Sequence, residues 1–256
     1  MRSPADSREL FAGPEFDRWA SVKTYLIAPE RFLIEHYLRR QGRTLEAGVG
    51  GGRILQAMIC LGFSDLSGFD NVPEMIDAAR QHDPSGAIAF CVADARELPY
   101  SSEEFDQAIY LQQVTCFIPD AAGRKRATAE AYRVLKKGGI ALFSFLCYEV
   151  RLQDLRYRAM ISYITCLRRL TGCSDSSQLL PWLQRGGKFN LSALLDRPPH
   201  NYWFRIEEAT ELLTSAGFSI IALGTARQIE EGQLCESIEE VRIKRLQGMV
   251  YVACKK

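Results

Sequence analysis

Apolar positions along this chain switch repeatedly between strand and helix spacing. "FLIEHYL" after Pro29 sets Phe32, Leu33 and Tyr37 on one side of a helix, and a proline suits a first helical turn. "RTLEAG" predicts a short first strand. "GRILQAMICLGF" predicts a helix, with Ile54, Leu55, Met58 and Leu61 as its apolar stripe. "DLSGFD" predicts the second strand, "PEMIDAARQ" a helix opened by Pro73 and Glu74, "AIAFCVADA" the third strand and "FDQAIYLQ" the fourth. "AGRKRATAEAYRVLKKGG" predicts a helix closed by Gly138, and "IALFSFL" a fifth, strongly apolar strand.

The rhythm breaks after Leu146. From Cys147 to His200 no strand–helix repeat occurs: "LQDLRYRAMISYITCLRRL" predicts one helix, and "GGKFNLSALLDRPPH" an irregular segment. Alternation returns with "RIEEATELLTSAGF" as a helix and "SIIALGT" and "MVYVACK" as strands. Strands separated by helices imply an α/β, doubly wound sheet. The expectation is one domain over 1–256. It divides into an N-terminal helical cap at 1–40, a core at 41–146, a lid insertion at 147–202 and a completing segment at 203–256.

Composition narrows the classes. With 256 residues, 47% hydrophobic and 25% charged, the chain can bury one substantial core, which excludes disorder and collagen-like repeats. No run of eighteen apolar residues occurs, and "MRSPADSREL" lacks the apolar core of a signal peptide, so a cytoplasmic protein without stable membrane insertion is expected. The eight cysteines are scattered singly without a CxxC pair, and read as reduced thiols; no metal ligand set is read. A formal charge of +1 with no lysine-rich arm argues against a nucleic-acid partner.

The stretch "LEAGVGGGR" carries the chemistry. A glycine-rich turn between a first strand and a helix lets a ligand approach the backbone and meet unpaired N–H groups at the helix start. A dinucleotide fingerprint would be GxGxxG, but Arg53 stands where its third glycine belongs, and no Walker A ending is present. What the residues spell is Glu46-x-Gly48-x-Gly50-x-Gly52. This resembles motif I of the class I S-adenosylmethionine-dependent methyltransferases, and the small-molecule, ubiquinone/menaquinone-methyltransferase-like branch in particular. The order of later segments is also similar, closely over about residues 40 to 146 and more loosely over 203 to 254.

The resemblance implies a Rossmann-like sheet of about seven strands, mostly parallel with an antiparallel last strand, and S-adenosyl-L-methionine as cofactor. It implies that Gly48, Gly50 and Gly52 line the cofactor loop, that Asp70 accepts from both ribose hydroxyls with Asn71 beside it, and that Asp94 and the Ala95 amide meet the adenine. Glu46 would either sit near the methionine amino group or orient the loop, and Gln112 after the fourth strand would face the methionine end or the acceptor. The sulfonium methyl is already activated, so the protein has mainly to align an acceptor and exclude water.

The expected reaction is methyl transfer to an oxygen or nitrogen of a small molecule. His200 and Tyr202, in "RPPHNYWF", are the candidates for a base or acceptor contact; His36 and His82 read as surface or packing residues. Arginines 151, 156, 158, 168 and 169 on the insertion read as a solvated face, an acidic-substrate contact, a membrane surface or a partner site. Trp19 lies in a segment that in similar proteins closes over the cofactor. A nicotinamide oxidoreductase and a non-catalytic methyltransferase-like module are the alternatives.

Overall fold

A computed structural model describes residues 11–13, 15–21, 24–185 and 187–256. Among the described residues two helices precede the first strand, α1 (Phe16–Ala20) and α2 (Ala28–Tyr37). They are followed by β1 (Thr44–Ala47), α3 (Arg53–Cys60), β2 (Leu66–Asp70), α4 (Pro73–Gln81), β3 (Ile88–Val92) and β4 (Phe105–Tyr110). A 3₁₀ turn at Val114–Phe117 leads into α5 (Ala121–Val134) and β5 (Leu135–Phe145). The main sheet runs β3-β2-β1-β4-β5, and two late strands, β10 (Ser219–Thr225) and β11 (Val250–Lys255), extend it beyond β5. All neighbours pair in parallel except β11, which is antiparallel to both β5 and β10. This is the seven-stranded, doubly wound sheet expected from the sequence, antiparallel last strand included.

Side-chain alternation explains the two layers. Leu45, Ala108, Tyr110, Phe143 and Val252 point to a core shared with α5 (Ala127, Ala131) and the late helix. Ile109, Leu142 and Tyr251, one residue out of phase, point to a core with Ile34 of α2 and Ile54, Leu55 and Met58 of α3. Helix α5 ends at Val134, four residues before Gly138, because Leu135 pairs with Phe105 and so starts β5 early; Gly138, at φ +77°, instead turns within the strand's outer end.

The insertion is more ordered than its sequence suggested. The long helix divides at Asp154 into α6 (Tyr148–Gln153) and α7 (Leu155–Thr171), because the Asp154 carboxylate accepts from the Arg156 amide and caps the second helix. Next come β6 (Leu179–Pro181), a small hairpin of β7 (Gln184–Arg185) and β8 (Lys188–Phe189), a 3₁₀ turn at Leu191–Leu195, and β9 (His200–Tyr202), which pairs antiparallel with β6. The late helix, α8 (Ile206–Ser215), then leads to β10. Two short helices between the last strands, α9 (Ala226–Glu230) and α10 (Ile238–Ile243), had no sequence expectation. All eight cysteines are free. Among the described residues no helix is long and apolar enough to cross a membrane.

A buried ion pair clamps the insertion. Arg168 donates to Asp196 at 2.6 and 2.7 Å and to the carbonyls of Ser176 and Leu179 at 2.6 Å, so one guanidinium joins α7 to the start of β6 and to two loop positions. Burial alone would raise the Asp196 carboxyl, but the bonds from Arg168 and His200 outweigh it and hold it at about 2. Asp196→Asn keeps a residue that tolerates the left-handed backbone here (φ +50°) and leaves Arg168 buried without its counter-charge. The expected loss is about 3–5 kcal/mol in urea unfolding of the insertion. A folded pKa below the unfolded value means that this stability is present above about pH 4 and is lost as pH falls toward 2. The variant is therefore expected to converge on the wild type in acid.

Candidate active site

The carboxyl ends of β1 to β4 surround a cavity of about 380 Å³ at the point where strand order reverses between β1 and β4. Each strand contributes its end. Gly48 and Gly50 follow β1, Asp70 and Asn71 close β2, Asp94 and Ala95 follow β3, and Gln112 follows β4. The turn after β1 has little room for side chains: a Cβ on Gly48, at φ +64°, would lie 2.8 Å from Val114 Cγ2, and one on Gly50, at φ +51°, 3.1 Å from the Trp19 carbonyl. Backbone therefore forms this wall.

Asp70 holds that turn in place. Its Oδ2 accepts from the Gly50 amide at 3.0 Å and its Oδ1 from the Val72 amide at 3.1 Å. Burial raises its pKa, while backbone N–H groups of Gly50, Val72 and Asn71 pull against the rise without cancelling it. These three donors do not fill the roughly four acceptor sites of a carboxylate, and Asp70 lines the cavity with capacity left for a ligand donor. Asp94 is oriented differently: Arg96 bonds both its oxygens, at 2.6 to 3.1 Å, and the Arg96 amide bonds Oδ1 at 2.8 Å, so carboxylate and guanidinium form one rim.

After β4 the backbone turns sharply. Gln112 (φ +64°) and Gln113 (φ +69°) are consecutive non-glycine residues in left-handed conformation, and the Gln113 amide is anchored on Ser144 Oγ at 3.0 Å. Such a pair stores about 1–2 kcal/mol per residue. It swings the following 3₁₀ turn across the strand ends, so that Val114 and Phe117 wall the cavity opposite the glycines.

Glu46 lies beneath the loop and is not part of the cavity lining. It is fully buried in β1, one oxygen accepts from the Leu55 amide at the start of α3, and Oε2 has no hydrogen-bond partner among the described residues. Burial pushes its pKa well above the usual range, Arg53 opposes, and Glu30 and Asp70 add to the rise. Gly52, at φ +85°, starts α3 against Phe90 and Ala79 and likewise supports the loop from behind.

The N-terminal segment is strapped onto the same loop. Arg53 makes a bidentate ion pair with Glu30 of α2 at 2.7 and 2.8 Å and also bonds the Tyr25 carbonyl. The Gly51 amide donates to the Trp19 carbonyl at 2.9 Å, and the His82 ring meets the Gly51 carbonyl at 2.9 Å, a contact that its polar turn did not foretell. Trp19 lines the cavity, and its indole N–H is buried without a hydrogen-bond partner among the described residues. Phe11 joins this cap to the opposite wall, with ring centroids 5.1 Å from Phe117 and 6.0 Å from Trp182 of the insertion.

The structure sets His200 and Tyr202 apart from the cavity lining. His200 Nε2 lies 3.1 Å from Asp196 Oδ1, inside the insertion's ion-pair network. Tyr202 carries the Arg124 guanidinium 3.7 Å above its ring; burial raises its phenol pKa, and Glu208 adds to this. Arg124 in turn donates to the carbonyls of Ile118 and Pro119 on the cavity wall. Phe69, Met75, Arg96 and Phe117 also line the cavity without having been singled out. An apolar residue beside a strand-end motif carries no mark that separates it from core.

Residues 45–143 match the family model described as a methyltransferase domain. The 2-methyl-6-phytyl-1,4-hydroquinone methyltransferase 1, chloroplastic, of Oryza sativa subsp. japonica is 35% identical over 72 residues, which are 28% of this chain and 21% of that protein. The chain thus spans about a fifth of the length of this curated relative. Two solved structures described as SAM-dependent methyltransferases share the fold. The one from Methanosarcina mazei has 22% identity and a TM-score of 0.65 over 92% of this chain and 99% of that one. The one from Thermotoga maritima has 22% identity and a TM-score of 0.58 over 97% and 99%. The glycine turn and the strand-end carboxylates fall on the segment that the family model matches, so over that segment the chain is similar to methyltransferase domains, and its fold is that of the solved SAM-dependent methyltransferases.

Proposed function

We propose that the chain binds S-adenosyl-L-methionine in the cavity at the strand ends and transfers its methyl group to an oxygen or nitrogen of a small molecule. The observation that carries this reading is the pairing of a side-chain-free wall at Gly48 and Gly50 with Asp70, whose carboxylate lines the cavity and keeps acceptor capacity beyond its backbone donors. A ribose diol supplies two donors to such a carboxylate. Asp94 and the Ala95 amide, after the neighbouring strand, supply the acceptor and donor that an adenine edge needs, with Asn71 and Gln112 on the same lining. The unpartnered indole N–H of Trp19 suits a carboxylate or other oxygen of the bound molecule. Glu46 and Gly52 act through the loop's shape.

When bound, the cofactor supplies a methyl group on a positively charged sulfur, ready for in-line displacement. The chain's own contribution is position and dryness. The strapped N-terminal segment and the Phe11–Phe117–Trp182 contact close the cavity on two sides, which removes water from the transfer site. Among the described residues the charged groups on the lining are Asp70, Asp94 and Arg96, and no imidazole, thiol or amine is present. The acceptor that fits is therefore one that reaches its nucleophilic form unaided near neutral pH, such as an acidic phenol, a carboxylate or a weakly basic amine.

Titration calorimetry is expected to show binding of S-adenosylmethionine or S-adenosylhomocysteine and none comparable for NAD or NADP; the reverse ranking would discard the reading. Asp70→Ala is expected to weaken cofactor binding by about 1–3 kcal/mol, the scale of charge-assisted hydrogen bonds. Because the Asp70 carboxyl is raised by burial, its acceptor form is lost on acidification earlier than for an ordinary carboxylate. Wild-type affinity should thus decline as pH falls from neutrality while the affinity of Asp70→Asn stays flat, and parallel profiles for the two proteins would show that Asp70 does not contact the cofactor.

A further inference from the structure

The insertion between β5 and α8 carries an outward surface that neither the sheet nor the cavity uses. Residues 155–195 hold seven of the eleven large apolar side chains exposed among the described residues, with Leu155, Leu170 and Leu191 at 74%, 81% and 72% exposure. On α7 the inner face is filled by Ile161, Ile164 and Arg168. The outer face sets Leu155, Ala159, Tyr163, Cys166 and Leu170 within an arc of about 100°, bordered by Arg158 and Arg169 on one edge and Arg156 on the other. A helix normally presents one apolar face; this one presents two.

The patch continues onto the neighbouring 3₁₀ turn. Tyr163 Oη donates to the Leu194 carbonyl at 2.8 Å, which brings exposed Leu191, Leu194 and Leu195 alongside the helix. Charge is segregated here as well. Residues 155–197 contain seven Lys or Arg against two Asp, one of which is consumed by Arg168, whereas the whole chain has 32 against 31. Arg156, Arg158, Arg169, Lys188 and Arg197 are all exposed, and none has a carboxylate partner among the described residues. Apolar side chains ringed by unpaired cations match the two layers of an anionic bilayer surface, acyl boundary and headgroup. A second copy of the chain would bring these five cations against themselves.

We propose that this face of the insertion docks the protein peripherally on membranes rich in anionic lipid, with the leucines of α7 and of the 3₁₀ turn entering the headgroup boundary and the arginines meeting lipid phosphates and carboxylates. The inference is independent of what the cavity binds. It nevertheless has a geometric consequence for the cavity: Trp182, in ring contact with Phe117 of the lining, accepts at its carbonyl from Asn190 next to Leu191, so the docking face begins within two side chains of the wall.

The test is flotation of the full chain with vesicles of phosphatidylcholine alone or with about one-third phosphatidylserine, at about 0.1 M salt. Wild type is expected to float with the anionic vesicles only and to be released at about 0.5 M salt, a readout that needs no variant. Leu170→Glu with Leu191→Glu, and separately Arg158→Glu with Arg169→Glu, should each lower the bound fraction at least about tenfold while far-UV circular dichroism and S-adenosylhomocysteine binding stay unchanged. Absence of flotation overturns the proposal, as does equal binding to both vesicle types. A dimer in sedimentation that Leu170→Glu dissolves, without vesicle binding, would assign the face to a second copy instead.

Discussion

The hydrogen bond from the Gly50 amide to the Asp70 carboxylate is the contact on which the site depends. It joins the turn after β1 to the end of β2, and the Val49 amide bonding the Phe69 carbonyl at 3.1 Å sets the two in register one residue earlier. With the turn fixed, the Gly51 amide is placed to donate to the Trp19 carbonyl, and the N-terminal cap acquires a seat on the backbone itself. A Cβ at Gly51 would lie 2.7 Å from the Ala20 carbonyl oxygen, so the glycine run is required by the cap as much as by any ligand. The carboxylate that organises the turn is also the group left with acceptor sites facing the cavity. Loop shape and ligand chemistry are therefore set by one side chain.

The parts of this arrangement that were legible in the sequence are those with local causes. Parallel strands buried on both faces are short apolar runs, and a carboxylate at the end of such a run, as at Asp70 and Asp94, reads as a strand end facing a crevice. The break at Asp154 also had a local signal, an N-capping aspartate inside an apparently continuous helix, which the apolar periodicity on either side overrode. What escaped has long-range causes. Val134 ends α5 because Leu135 pairs with Phe105, thirty residues earlier. Arg53 was read as the missing glycine of another motif, whereas its side chain reaches back to Glu30 and ties cap to core. Phe11, Phe117 and Trp182 meet from three separate regions, and none has a spacing that would announce it.

His200 shows the same limit from the other side. An imidazole among aromatic residues just before α8 was a reasonable candidate for a base, but its position was fixed by Asp196, which Arg168 already holds. A buried arginine can be accommodated only when its donors are met, and here Asp196, Ser176 and Leu179 meet them. His200 completes the second side of the same carboxylate and stays with the clamp. The aromatic neighbours were similarly diverted: Tyr202 supports Arg124, whose bonds to the Ile118 and Pro119 carbonyls shape the cavity wall at one remove.

That clamp also explains how the insertion can leave apolar side chains outside. An excursion of this length would ordinarily fold by burying its leucines against one another, but here the inner contacts of α7 are made by two isoleucines and a polar network centred on Arg168. The apolar cluster beneath is small, built on Tyr148, Ile161 and Leu180. Since a network of directional bonds fixes the geometry, the remaining leucines are not needed to hold the segment together, and they project outward from a rigid platform. A platform is what a docking face requires, because side chains that are already ordered lose less freedom when they meet a surface. The ion pair that keeps His200 from the cavity is thus the same contact that holds the outer face of α7 in place.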